Sequence, residues 1–189
     1  MKKIFYLLTI LCIISCTGNN SSHQNTDSLA RDTVVKVDTG KIKQSTENST
    51  KWTFTEDEDK MTSKKKYYAS IDANDELQLK FPYDGGSTPT LLIRYKDGEN
   101  NAILSVTKGQ FISNVVDGES IKIRFDNDQP VSFNCSSPSD GSSNMLFINS
   151  TKKLMNKLKT SKKIIIQAEF YDNGLQLMEF DVDGFKWSH

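Results

Sequence analysis

From Lys51 onward, apolar and polar residues alternate in short runs separated by turn residues, the period of two that sends successive side chains of a β-strand to opposite faces. Trp52 and Phe54 open the pattern. Tyr67, Ala69 and Ile71 share one face, Leu77, Leu79 and Phe81 the next, and Leu91, Ile93 and Tyr95 another. Ile121, Ile123 and Phe125 then alternate with Lys122 and Arg124, and Val131, Phe133 and Cys135 with Ser132 and Asn134. Near the end of the sequence, the runs 164–171 and 175–182 flank Asp172-Asn173-Gly174, which predicts a hairpin with a tight type I′ turn at Asn-Gly. Asp97-Gly98 and Asp117-Gly118 punctuate the chain in the same way.

One segment changes period. Between Ser150 and Thr160, Leu154, Met155 and Leu158 fall on one side of a helical wheel, with Lys152, Lys153, Lys157 and Lys159 on the rest. This predicts one short helix over about 150–160, with Ser150 as its N-cap. The expected fold class is all-β, with about eight to ten antiparallel strands in a β-sandwich or partly open barrel and the helix covering an end.

Before Lys51 the pattern differs. Met1-Lys2-Lys3 is a basic start, and Ile4 to Ile14 is an uncharged apolar run of 11 residues, the form of a secretory signal peptide. Such a run is too short for a bilayer core, which needs about 20 residues in a helix. It ends in Ile13-Ile14-Ser15-Cys16, which resembles the bacterial lipobox: an aliphatic residue, a tolerant position, a small residue and the acceptor cysteine. That resemblance implies a signal peptide at 1–15 and lipidation at Cys16, with acyl chains such as palmitate holding the protein at a membrane. Two or three chains give the stable residence that one cannot.

No acid follows Cys16 in Thr17-Gly18-Asn19-Asn20-Ser21-Ser22. In lipoproteins of known sorting this favours the outer membrane, with the domain facing the periplasm. Residues 16–50 then form a Ser/Thr/Asn/Asp-rich tether without sustained periodicity. Its 34 residues after the cysteine span roughly 30 Å as a flexible coil. Val34, Val35 and Val37 offer one short strand as an alternative. Asp27-Ser28-Leu29 and Asp32-Thr33-Val34 resemble the Asp-Ser/Thr-aliphatic acceptor of an envelope O-glycosylation system, which makes Ser28 and Thr33 candidate modification sites; chance in a Ser/Thr/Asp-rich tract produces the same triplets. The single β-rich domain is expected at 51–189.

Composition and charge restrict the chemistry. The chain is 36% apolar and 10% aromatic, enough for one core. Lys plus Arg and Asp plus Glu are 24 each; removing Lys2 and Lys3 with the signal peptide leaves 22 against 24, a net charge of −2. Nothing in this balance favours a nucleic-acid partner. Histidine occurs only at His23 and His189, neither placed for a base inside a folded site, which argues against Ser-His-Asp, Cys-His and His-rich zinc arrangements. Cys135 shares an apolar face with Val131 and Phe133 and reads as a buried thiol. No cofactor or metal is expected.

Acids cluster at 56–59, 72–76, 126–128 and 181–183. They lack the spacing of an EF-hand loop and read as solvated turns, with Ca²⁺ binding or carboxylate-dependent hydrolysis of envelope glycans as alternatives. The Ser-rich loop from Cys135 to Asn144 has no partner base. The lysines of 152–163 form either a wet helix face or a contact for anionic headgroups or polymers. Tyr67, Tyr68, Phe81, Tyr83 and Tyr95 are candidates for an aromatic sugar- or peptide-binding platform, with Tyr68 and Tyr83 expected to face away from the core.

A scattered set of short motifs resembles a widespread bacterial envelope domain: Trp52, Asp57 to Asp59, Met61-Thr62, Phe81-Pro82-Tyr83, Ile93-Arg94, Lys108-Gly109-Gln110-Phe111, Arg124-Phe125-Asp126, Leu158-Lys159 and Phe180-Asp181-Val182-Asp183-Gly184-Phe185. The domain is that of uncharacterised lipoproteins and, more distantly, of type VI secretion-associated periplasmic proteins (TagO/VasI-like). The distant relatives carry a cysteine after the Ile-Arg pair, where this chain has Tyr95. The resemblance implies a compact β-domain and no catalytic motif. The expectation is therefore a non-enzymatic, membrane-anchored lipoprotein that binds or scaffolds an envelope protein or polysaccharide. An accessory role in a secretion apparatus and a carboxylate hydrolase are the alternatives.

Overall fold

Asp97 and Gly98 both take positive φ, 52° and 86°, and reverse the chain in two residues between β5 (Pro89–Lys96) and β6 (Glu99–Val106). This is the turn chemistry that a two-residue hairpin demands. A computed structural model of the chain describes residues 50–112 and 120–189. Residues 1–49, with Cys16, Ser28, Thr33 and His23, and the Asp117-Gly118 turn lie outside the described residues.

The other strands are β1 (Thr53–Glu58), β2 (Lys65–Asp72), β3 (Leu77–Leu79), β4 (Gly85–Ser87), β7 (Ser120–Phe125), β8 (Val131–Ser136), β9 (Met145–Ile148), β10 (Ile164–Phe170) and β11 (Gly174–Phe180), with α1 at Thr151–Leu158. Nine strands form one antiparallel sheet in the order β1-β2-β5-β6-β9-β8-β7-β10-β11, and β3 pairs with β4. The large sheet curls until its ends approach: Asn74 N–H donates to the Glu179 carbonyl at 2.8 Å, and Trp52 Nε1 to the Val182 carbonyl at 3.0 Å. These are single bonds and not a ladder, so the all-β fold is open and sandwich-like and not a closed barrel.

The core lies between the two halves of the curl. Ala69, Ile71, Leu91, Ile93 and Leu104 face Ile121, Ile123, Phe125, Ile166, Phe170 and Phe180, all buried. Each such aliphatic or aromatic side chain contributes about 1.5–3 kcal/mol through area removed from water. Helix α1 buries Leu154, Met155 and Leu158 and packs against β6.

Four expectations need correction. The β10–β11 turn is not an Asn-Gly type I′ turn: positive φ falls on Asp172 and Gly174, not on Asn173. Asn173 uses its side chain instead, donating to the Tyr171 carbonyl and accepting from Lys80 N–H at 2.8 Å. The N-cap falls on Ser150 as expected, but the capping bond does not form: Ser150 lies in the left-handed region, φ 58°, with no side-chain cap bond. Phe81 does not join the face of Leu77 and Leu79, because β3 ends at Leu79 and Phe81 is 75% exposed. The described residues form eleven strands, where about eight to ten were expected.

Candidate functional site

Beyond β11 the chain keeps a period of two: Phe185, Trp187 and His189 alternate with Lys186 and Ser188. These three rings point to one side, and each finds an aromatic partner on it. Phe185 packs on Trp52 with ring centroids 4.7 Å apart, and Trp187 stacks along Phe185 at 6.4 Å. His189 lies over Tyr67 at 3.8 Å and 14°, with Tyr95 at 5.6 Å and the Trp187 ring edge-on at 5.2 Å. Such contacts contribute about 0.5–1.5 kcal/mol each beyond the area they bury.

Two polar anchors fix this strap. At its start, Thr50 Oγ1 donates to the Asp183 carbonyl at 2.9 Å, and Gly184, at φ 79°, brings its backbone so close that a Cβ there would meet Thr50 Cβ at 2.9 Å. At its end, Asn100 accepts from Trp187 Nε1 at 2.7 Å and donates to the His189 carbonyl at 3.0 Å. Asn100 stands on β6 opposite Tyr95, so the β5–β6 hairpin holds the strap from the side.

Between the strap and the edge strand β1 lies a groove of about 310 Å³, lined by Phe54, Thr55 and Glu56, by Tyr67 and Tyr68, and by residues 186–189. Aromatic and hydroxyl-bearing residues both contribute to its lining, a composition suited to apolar contact with a few orienting polar groups. Glu56 and Lys186 are among its lining residues, and Glu56 accepts from Lys65 Nζ at 2.6 Å, on the adjacent strand.

The proposed aromatic platform divides in two. Tyr67, Tyr68 and Tyr95 gather at the groove or beside His189. Phe81 and Tyr83 lie by the β10–β11 turn, and Tyr83 does not face away from the core: it packs against it, its hydroxyl 3.4 Å from Gln110 Oε1. Trp187, Phe185 and Asn100 were not anticipated. The alternation of Phe185, Trp187 and His189 was the available signal, but the residues that meet it are 87 to 133 positions away in sequence.

The acids are engaged elsewhere. Asp59 accepts from the backbone N–H groups of Met61 and Thr62, which hold its carboxyl below the usual carboxylate range. Asp97 is held low by Lys64, and Asp181 by Lys51 and Asn74. Asp128 pairs with Lys157 and Glu179 with Lys163. A general acid for glycoside cleavage requires a raised pKa, the opposite direction from that of Asp59, Asp97 and Asp181. Among the described residues, no group of three His, Cys, Asp or Glu side chains is placed to hold a metal ion. Cys135 is buried, as its alternation expects, with Sγ 3.8 Å from the Phe133 carbonyl.

No family model matches the sequence, and no curated protein matches it. Among solved structures, the chain is similar to invasion associated protein B from Bartonella henselae, at 12% identity and a TM-score of 0.43, over 74% of this chain and 89% of that one.

Proposed function

We propose that the chain is a bacterial envelope lipoprotein, anchored through Cys16 to the outer membrane and facing the periplasm. Its β-domain acts as a non-enzymatic binding module. The envelope protein or polysaccharide it holds occupies the groove between β1 and the strap. The anchor half of this reading rests on the signal-peptide pattern and the lipobox resemblance. The binding half rests on one observation: the groove is lined by the aromatic residues Phe54, Tyr67 and Trp187 together with hydroxyl-bearing residues, while Glu56 and Asp57 are tied to lysines.

A photo-crosslinking residue at Thr55 or Ser188, in native membranes, tests it. Both positions are expected to give the same adduct, lost with Trp187→Ala, while a crosslinker at the exposed Leu177 does not. Equal adducts from Leu177, or none from the two groove positions, refutes the binding site.

An accessory component of a secretion apparatus is the second reading, favoured by the motifs scattered from Trp52 to Phe185. Those motifs are partly structural here. Trp52, Val182 and Phe185 pack together, and Gly109 lies against Leu79 and Phe170.

A further inference from the structure

We infer that the lysine face of α1 and its exit is a docking surface for anionic phospholipid headgroups. It orients the domain on the leaflet that the tether reaches. From Ser150 to Lys163 the chain carries six lysines and no acid. The acids that approach this segment are Asp128, paired with Lys157, Glu179, paired with Lys163, Asp126, which accepts from the backbone N–H groups of Lys162 and Lys163, Asp181, whose charge is felt by Lys163, and Asp183, whose N–H donates to the Lys162 carbonyl. Lys152, Lys153, Lys159 and Lys162 are exposed and form no ion pair among the described residues. Lys153 rests its ammonium 5.0 Å from the Phe133 ring centroid, which leaves its charge at the surface above the end of the core.

The position of this face points to the partner. The described chain begins at Thr50, whose hydroxyl bonds the Asp183 carbonyl, and the N–H of Asp183 donates to the Lys162 carbonyl at 3.1 Å. The tether therefore enters the domain beside the exit of the lysine segment. A domain held by lipid at Cys16 would meet the membrane surface with this end within easy reach. Basic residues near an anionic surface contribute about 1 kcal/mol each, over a range of about one Debye length. This inference rests on the proposed anchor only for its biological setting; the surface itself can be tested without it.

The experiment uses the chain from position 16 onward carrying Cys16→Ala, so that no acyl chain contributes; the described core, from Trp52 to Phe185, is left intact. Partition is measured onto vesicles of phosphatidylcholine alone and with 30 mol% phosphatidylglycerol (about one lipid in three, enough for the surface charge to act) at low salt. Lys152→Gln with Lys159→Gln is compared with Lys80→Gln with Lys108→Gln, an equal charge change near the β10–β11 turn, the other end of those strands. At about 1 kcal/mol per lysine, the first pair is expected to lower partition onto anionic vesicles about 25-fold and the second less than 3-fold. Equal effects of the two pairs, or no preference for anionic over neutral vesicles, overturns the proposal. Fatty-acid labelling of the unmodified chain tests the anchor separately, so failure of either is distinguishable from failure of the other.

Discussion

The outer end of the strap is held by aromatic stacking and by one asparagine, and the two contributions can be separated. Asn100→Ala removes the acceptor of Trp187 Nε1 and the donor to the His189 carbonyl, at 2.7 and 3.0 Å. A hydrogen bond contributes about 1 kcal/mol net, and an orphaned group costs more only where water cannot reach it. Trp187 is half-buried, so water replaces part of what is lost, and the expected destabilisation is about 1–2 kcal/mol. Trp187→Phe keeps a ring against Phe185 while removing the indole donor and part of the stacked area. The double variant should then cost less than the sum of the two, with a coupling of about 1 kcal/mol. Urea unfolding followed by far-ultraviolet circular dichroism measures the cycle. Acrylamide quenching adds a local readout in Asn100→Ala, because Trp52 is buried and added quenching reports Trp187. Additivity to within about 0.3 kcal/mol, with quenching unchanged, would refute a role for Asn100 in holding the strap.

Three further outcomes are expected. Cys16→Ala should move the protein out of the detergent phase and abolish fatty-acid labelling; unchanged partitioning would sink the lipoprotein assignment. Gly109→Ala should destabilise by about 2–3 kcal/mol in chemical denaturation, because the residue sits at φ 113° and its Cβ would stand 2.9 Å from Leu79 Cδ1 and 3.3 Å from the buried Phe170 ring. A loss below about 0.5 kcal/mol would show that this approach is not tight in solution. Asp181 should titrate below an ordinary aspartate, chiefly because Lys51 donates to its charged form and then because Asn74 does. A depressed folded-state pKa contributes stability that is full above about pH 4 and fades as the pH falls through the folded value. Lys51→Met should raise the Asp181 pKa in a carboxyl-detected NMR titration; no change would remove Lys51 as its cause.

The fold class was legible because strand alternation is local. Ile121, Ile123 and Phe125 face the core as their spacing requires, and so do Ala69, Ile71, Leu91 and Ile93. Where alternation failed as a guide, burial or parity had changed. β6 shows no period of two at Ala102-Ile103-Leu104, because all three are buried. In β11 the apolar residues compete for two faces, Leu175 and Leu177 against Met178 and Phe180. Pairing with Ile164 and Ile166 on β10 decides the matter, burying Met178 and Phe180 and leaving Leu175 and Leu177 in solvent at 64% and 61% exposure. β4 (Gly85–Ser87) is a strand only by virtue of its partner β3, since Gly85-Gly86-Ser87 has no strand propensity of its own.

The groove was legible only in fragments, for a topological reason. One wall is the first strand and the other is the strap after the last, and both leave the same point, where Thr50 lies against Asp183 and Gly184. In sequence these walls are more than a hundred residues apart. They face each other because the sheet curls until Trp52 reaches Val182. Alternation can put Tyr67 on a face and the aromatic triplet of 185–189 on another, but it carries no information about which face of which distant strand will lie opposite. That is settled by the order of nine strands, and with it the placement of His189 over Tyr67. The same curl puts the start of the groove, the first described residue Thr50 and the exit of the lysine segment at one locus, linked by the bonds from Thr50 to Asp183 and from Asp183 to Lys162. A force on the strap would therefore load the contact between Thr50 and Asp183. This connection rests on hydrogen bonds between segments that no local pattern relates.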